Sequence, residues 1–462
     1  MADLDPKLAA AHALLAEARS LRREPRDLRP LAEWTVLVAG LRSVGKSSLV
    51  CTLWGDPELL PTAVRDCTQT NTLVRAPAAN EADRAIWVEH LAREQALNFA
   101  LRDLSCVRLD EKLRQAEGPM GPRLDDLPPE PRMRETMAGI RRLFQVRPDE
   151  AVLNDHLNDE LDKLDQFLAF LDSPAFRPGA RVETGWDRRR LHLMGNLQPD
   201  GRRLDVGQLL AYRHVELVRA TDRFGATPPR LIDTPWIPAF HNARRADLIL
   251  DRAREADVLM LVALPGKFEL EPWLETLLKE RPELAARAVV VFNQIDTLDT
   301  SALFSREGFA QEFVEIGERL ARQGFEPASF HFCCARLPFL ETGAKDAFLK
   351  ERVAKLQAIL KSLAKLADDR ARGPFKAKLL EACDPRGEAG LAALRAELLK
   401  QGDAARRARA REALNELAWL TDEDFTGPAE RTGELRRQAR ELAEALKPER
   451  NAPGGVRSPW DE

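Results

Sequence analysis

The sequence predicts an α/β fold. A doubly wound, mostly parallel sheet is interrupted by a helical insertion and joined to an α-helical bundle built from the N- and C-terminal segments. Three observations carry this. Short apolar, β-prone runs at 35–39, 214–220, 230–233, 256–262, 288–292 and 329–336 alternate with helical stretches, as parallel strands and crossover helices do. Loops holding glycine, lysine, aspartate and asparagine follow these runs, at the carboxyl ends of strands where an open sheet places its ligand. Elsewhere, leucines recur at 4-3-4-3 spacing, first between about 80 and 171 and again beyond 342.

Taken in order, residues 4–23 read as an amphipathic helix. Leu4, Leu8, Ala11, Leu15 and Ala18 share a face, and Arg19, Arg22 and Arg23 sit at the end where cations suit the helix dipole. Packing of this helix on the bundle defines a first segment, 1–30. The run Thr35–Ala39 then stops at Gly40, and Gly45-Lys46-Ser47-Ser48 opens a helix, giving G-x-x-x-x-G-K-S between a strand and a helix. Glycines let the backbone wrap a phosphate chain, and N–H groups at the helix start point at the anion. Lys46 can reach β- and γ-phosphates, and the Ser47 hydroxyl can ligate Mg²⁺.

Thr70 to Arg75 alternates as a strand. A helical insertion is expected over about 80–180, with Trp87, Leu91 and Leu97 on one helix and Leu157, Leu161, Leu164, Leu168 and Leu171 on another, separated by a proline-rich hinge at 118–131. The α/β domain resumes at His214 and runs to about 345. A bundle is expected over 346–447, with leucine stripes from Val353 to Leu366, Leu391 to Leu398, Leu414 to Leu420 and Leu435 to Leu446. A disordered tail is expected at 448–462, where prolines and glycines gather.

Composition narrows the class. The 462 residues carry 70 basic and 74 acidic side chains, a net charge of −4 that argues against a nucleic-acid partner. The six cysteines lack metal-site spacing and suit a reducing cytoplasm. The longest apolar run, Val258 to Pro265, is far shorter than the ~20 residues of a membrane span. A soluble, cytoplasmic protein is expected, with any membrane contact peripheral.

The downstream loops make the phosphate site specific. Asp233, in Asp-Thr-Pro, ends a strand and can hold Mg²⁺ through water while sensing the γ-phosphate. Asn293 and Asp296 follow a later strand at N-x-x-D spacing. A carboxylate at Asp296 can accept two hydrogen bonds from the ring N–H and exocyclic amine of guanine, which adenine cannot offer. Cys334-Ala335-Arg336 sits where the Ala335 N–H can meet the guanine carbonyl. In this order the loops form the signature of a P-loop GTPase domain binding GTP and Mg²⁺.

The chain here resembles the dynamin-like large GTPases, bacterial members in particular. Gly40-Leu41-Arg42-Ser43-Val44-Gly45-Lys46-Ser47-Ser48 is similar to that family's phosphate loop, second serine included. Leu59-Leu60-Pro61-Thr62 followed by Cys67-Thr68 resembles the stretch before its first switch threonine. The resemblance covers roughly 31–76 and 214–340. It implies a helical stalk, self-association through the GTPase face as a homodimer or larger assembly, stimulated hydrolysis, and membrane remodelling. It also implies that Gly40, Ser43, Val44, Gly45, Lys46, Ser47, Ser48, Asp233, Asn293, Gln294, Asp296 and Ala335 bind nucleotide. Ser47 and Thr68 would ligate Mg²⁺, and Ser43 and the Thr68 main chain would assist hydrolysis. Thr62, Thr70 and Thr72 lie near enough to Thr68 to compete for that role.

Three residues depart from the family pattern. Arg42 replaces glutamine, which suggests an arginine supplied in cis to the transferring phosphate. Trp236 stands where glycine is usual after Asp-Thr-Pro. Gln294 replaces the lysine whose stem packs on the base, which predicts weakened base preference. Two other functions fit the same motifs: a regulatory GTPase switch whose helical regions bind an effector protein, and an ATP-hydrolysing P-loop enzyme.

Overall fold

The computed structural model describes residues 5–23, 30–41, 43–60, 71–105, 128–146, 161–162, 164–184, 211–235, 249–264, 272–297, 322, 330–335, 354–359, 361, 379–380, 383 and 388–447. Arg42, Thr68, Trp236, Arg336 and the 448–462 tail lie outside them, as do the competing threonines Thr62 and Thr70.

After helix α1 (Pro6–Leu21) come β1 (Thr35–Ala39), α2 (Lys46–Trp54), β2 (Thr72–Arg75), β3 (Ala85–His90), α3 (Arg93–Ser105) and α4 (Pro129–Val146). Strands β4 (Arg181–Glu183), β5 (Tyr212–Val218), β6 (Arg230–Asp233) and β7 (Val258–Ala263) follow. Helix α5 (Pro272–Glu280), β8 (Ala288–Phe292), β9 (Phe330–Phe332), the long α6 (Glu388–Trp419) and α7 (Ala429–Ala445) complete the order. The nine strands form one sheet in the order β4-β3-β5-β2-β6-β1-β7-β8-β9. From β6 through β9 every pairing is parallel, with Val38 beside Asp233 and Ala39 beside Leu261. Strand β2 runs antiparallel to β6 and parallel to β5. The carboxyl ends of β1, β6, β7, β8 and β9 therefore share one edge.

Both faces of the sheet are covered, as the uninterrupted burial of β1, β7 and β8 requires. On one face Leu37, Leu259, Leu261 and Val290 meet Trp273, Leu277, Leu356, Ile359, Leu379 and Cys383. On the other, Val36, Val38, Met260 and Val289 meet Leu49, Leu53 and Trp54 of α2 and Leu391, Leu394 and Leu398 of α6.

Two sequence expectations are corrected. Trp87 lies on a strand, not a helix. In Ala85–His90, buried Ile86 and Val88 face the core while Trp87 and Glu89 are only half-buried, and helix begins only at Arg93. Period-2 alternation overrides a helical spacing assembled from residues on both sides of the strand end. The second correction moves the bundle boundary. Leu356, Leu391, Leu394 and Leu398, expected in the bundle, cover the sheet.

Beyond the sheet, α3, α4 and the helical run at 164–171 bury Leu97, Met133, Met137, Leu164 and Phe167 in a separate small core. The distal half of α6 (Ala410, Leu414, Leu417) packs with α1 (Leu8, Ala11, Leu15, Ala18) and α7 (Leu435, Ala439, Ala443) as a three-helix bundle. Asp5 and Arg407 form a 2.6 Å ion pair between α1 and α6.

One helix thus spans both units, and its midpoint is clamped. Arg409 is paired at 3.2 Å with buried Asp257, whose other oxygen accepts the Thr35 N–H at 2.8 Å. A Cβ on Gly402 would lie 2.5 Å from the buried Trp34 ring. Gly402→Ala should therefore destabilise the protein by about 1–3 kcal/mol through overpacking, despite the ~1 kcal/mol that alanine adds to an open helix. Thermal denaturation checks this; a melting temperature equal to or above that of the native chain would show the helix is not tightly seated there.

Candidate functional site

The site assembles at the carboxyl edge of the parallel strands. The chain must turn sharply out of β1, and a Cβ at Gly40 (φ +146°) would fall 2.0 Å from the Val262 carbonyl oxygen. Gly45 sits at the helix start with φ +86°, where a Cβ would meet the Asn293 amide nitrogen at 2.4 Å. Glycine is thus demanded at both ends of the loop, once by backbone and once by a side chain 248 residues away.

Lys46 is buried, and its Nζ donates to the Gly40 carbonyl at 2.7 Å and the Leu41 carbonyl at 3.0 Å. The ammonium is held under the loop's own carbonyls. Ser47 Oγ donates to Asp233 Oδ2 at 2.6 Å, joining the first turn of α2 to the end of β6. Asp233 is fully buried, and next to it Thr234 Oγ1 donates to the Val38 carbonyl at 2.8 Å, pinning β6 to β1. A hydroxyl and a carboxylate are hard oxygen donors of the kind Mg²⁺ takes alongside water and phosphate oxygens, so these residues fit that ion. Ser48 is buried in the same turn.

A second group forms at the ends of β8 and β9. Asn293, buried, donates from Nδ2 to the Val44 carbonyl at 2.9 Å and accepts the Ala335 N–H on Oδ1 at 3.0 Å. One side chain thus ties the phosphate loop, the 293–296 loop and the 333–335 loop together. Gln294 adopts the left-handed conformation, φ +58°, and its Nε2 donates to the Ser43 carbonyl at 2.8 Å. Ser43 is itself left-handed at φ +60°. Asp296 is buried in the short turn Ile295–Thr297 and accepts from the Cys334 thiol at 3.1 Å.

Of the sequence-predicted residues that are described, Gly40, Ser43, Val44, Gly45, Lys46, Ser47, Ser48 and Asp233 gather where β1 and β6 meet the start of α2, and Asn293, Gln294, Asp296 and Ala335 gather beside them. Two thiols join the site in roles the motifs do not assign. Cys333 lies 3.6 Å from Asn293 Oδ1 and Cys334 backs Asp296, so adjacent thiols support the two polar side chains of N-x-x-D. Burial pushes the Cys333 thiol well above its usual range, which keeps it a neutral group. The only signal in the sequence is the position of Cys-Cys-Ala after a strand.

No protein-family model and no curated protein matches this chain. Among solved structures, it is similar to a chain from an oligomerised bacterial dynamin pair, described as providing a mechanism for long-range sensing and tethering of membranes. The identity is 12% and the TM-score 0.39, over 95% of this chain and 50% of that one. The present chain spans half the length of that neighbour. Among the described residues no helix is long and apolar enough to cross a membrane.

Proposed function

We propose that the protein binds and hydrolyses GTP, as a dynamin-like GTPase. The observation that carries the reading is the Asn293 side chain, which joins the phosphate loop to the loop of Asp296 and to the Ala335 N–H. Phosphate-binding and base-reading groups then belong to one rigid site rather than to separate loops. Lys46 would contact the β- and γ-phosphates, and Asp296 would accept from the guanine ring N–H and amine. The Ala335 N–H, expected from the sequence at the guanine carbonyl, is instead held by Asn293 Oδ1 at 3.0 Å, so Ala335 is proposed to shape the base end through Asn293. Ser47 directly and Asp233 through water would hold Mg²⁺, with Thr68 completing the set; the ion would neutralise charge on the phosphates during transfer. Arg42 is proposed as the cis-acting cation and Ser43 as a group that helps place the attacking water.

Gln294 is proposed to act on the phosphate loop rather than on the base, and a base preference weaker than the family's is still expected of it. Its amide is anchored to the Ser43 carbonyl, so it braces the phosphate loop where the family lysine would also pack on the base. Self-association through the nucleotide face and peripheral contact with a membrane follow from the resemblance of residues 40–48 and 59–68, and are proposed on that ground. Measuring phosphate release from GTP and from ATP, with and without Mg²⁺, tests the reading. Mg²⁺-dependent release from GTP with little from ATP is expected; equal release from both would favour a general nucleoside triphosphatase.

A further inference from the structure

Trp419 closes α6 at the free end of the bundle and is 87% exposed; the one other large exposed hydrophobic among the described residues, Leu380, is 39% exposed. A groove of about 500 Å³ lies between α1 and α6, running along α6 from Arg409 to Glu416 and ending one turn short of Trp419. Its apolar lining comes from Leu15, Ala16, Leu31 and Ala413, with Arg19 and Glu412 among its polar members. Its size falls in the range of ~300–1,000 Å³ that encloses small ligands, so an indole can enter.

We propose that this end of the bundle is a two-fold self-association surface, in which Trp419 of each copy fills the groove of the other. The occupant follows from placement. Glu412 lines the groove, and Trp419 stands seven residues further on the same helix, two turns along and nearly above it, at a rise of about 10 Å. Projection and recess therefore share one face, and a patch that carries both is complementary to its own copy about a two-fold axis. An axis beside Glu416 sets Trp419 three residues to one side and Ala413 three residues to the other. An antiparallel crossing of two α6 helices then brings each indole over the partner's small Ala413.

The charges agree with this arrangement. Arg19 on the groove can take an aromatic face as a cation–π partner. Arg22, 3.8 Å from Glu416, offsets the approach of the two Glu416 carboxylates at the axis. Beyond Trp419, Asp422 is paired with Arg436, and Arg22 and Arg23 stand beside Asp424, so this end carries both signs of charge and lacks the one-sign basic patch that an anionic bilayer attracts. This surface lies away from the nucleotide site, and the proposal does not depend on nucleotide.

Sedimentation velocity of the full chain without nucleotide, over a range of micromolar concentrations, tests it. A monomer–dimer equilibrium is expected. Trp419→Ser, and separately Ala16→Arg to fill the groove, should each weaken it by at least about tenfold, as loss of a central aromatic anchor does. Both positions are exposed, so melting temperatures should not change. Mixing the two variants should restore part of the association, because the mixed dimer keeps one intact Trp419-in-groove contact. A native chain that stays monomeric, or a dimer that neither substitution weakens, would overturn the proposal. So would a monomer that loses binding to anionic vesicles on Trp419→Ser.

Discussion

Lys46→Ala is expected to lower GTP turnover by about a hundredfold or more, the usual cost of removing a donor aimed at charge that develops in a transition state. The ammonium is bound by the Gly40 and Leu41 carbonyls, at 2.7 and 3.0 Å, and it is buried. A buried cation stripped of most of its water has much to gain from a phosphate oxygen. The alanine variant also leaves those carbonyls without their donor, so the loop itself should loosen. Turnover measured at saturating GTP separates the two effects: loss of phosphate stabilisation lowers the rate at saturation, whereas a loosened loop alone would raise the GTP concentration required. A turnover within threefold of native would show that Lys46 is not the phosphate-binding lysine.

Asp296→Asn should change which base is bound. The carboxylate is buried and accepts the Cys334 thiol on Oδ1, and the asparagine oxygen can keep that hydrogen bond, so the fold should tolerate the exchange. The second oxygen becomes an NH₂. Guanine then presents a donor to a donor, and GTP affinity should fall by about a thousandfold, the scale seen when a buried polar pair is mismatched. Xanthine carries a carbonyl where guanine has its amine, so the same substitution should bring binding of xanthosine triphosphate to within about tenfold of native GTP binding. Equilibrium titration with the two nucleotides checks this. Unchanged GTP affinity in the variant would remove Asp296 from the base site.

The phosphate loop was legible because every element of it is local. A strand, two glycines, a lysine and a serine within fourteen residues dictate their own geometry, and the observed β1 and α2 boundaries follow the motif. Asn293 and Asp296 were legible by spacing, since an uninterrupted apolar run ends at Phe292 just before them. What spacing could not show was the partner of each. The Asn293 contact with Val44 spans 249 residues, and the thiols behind Asn293 and Asp296 lie about 40 residues further along the chain.

The failures have a common cause. Leu391, Leu394 and Leu398 have the same periodicity as Leu414 and Leu417, yet the first group covers a sheet and the second a helix bundle. Periodicity specifies that a helix has an apolar face, not what lies against it. Strand β3 was hidden because Trp87, Leu91 and Leu97 mimic a helical stripe across a strand-to-helix junction. Three-residue β4 is too short, and too exposed at Arg181 and Glu183, to alternate visibly.

The most direct test of the central claim is a competition titration, in which GTP and ATP displace a fluorescent guanine nucleotide from the native chain in Mg²⁺. Displacement by GTP at least about a hundredfold more effective than by ATP is predicted, since adenine would leave the buried Asp296 carboxylate without complementary donors. Equal displacement by the two nucleotides would contradict it.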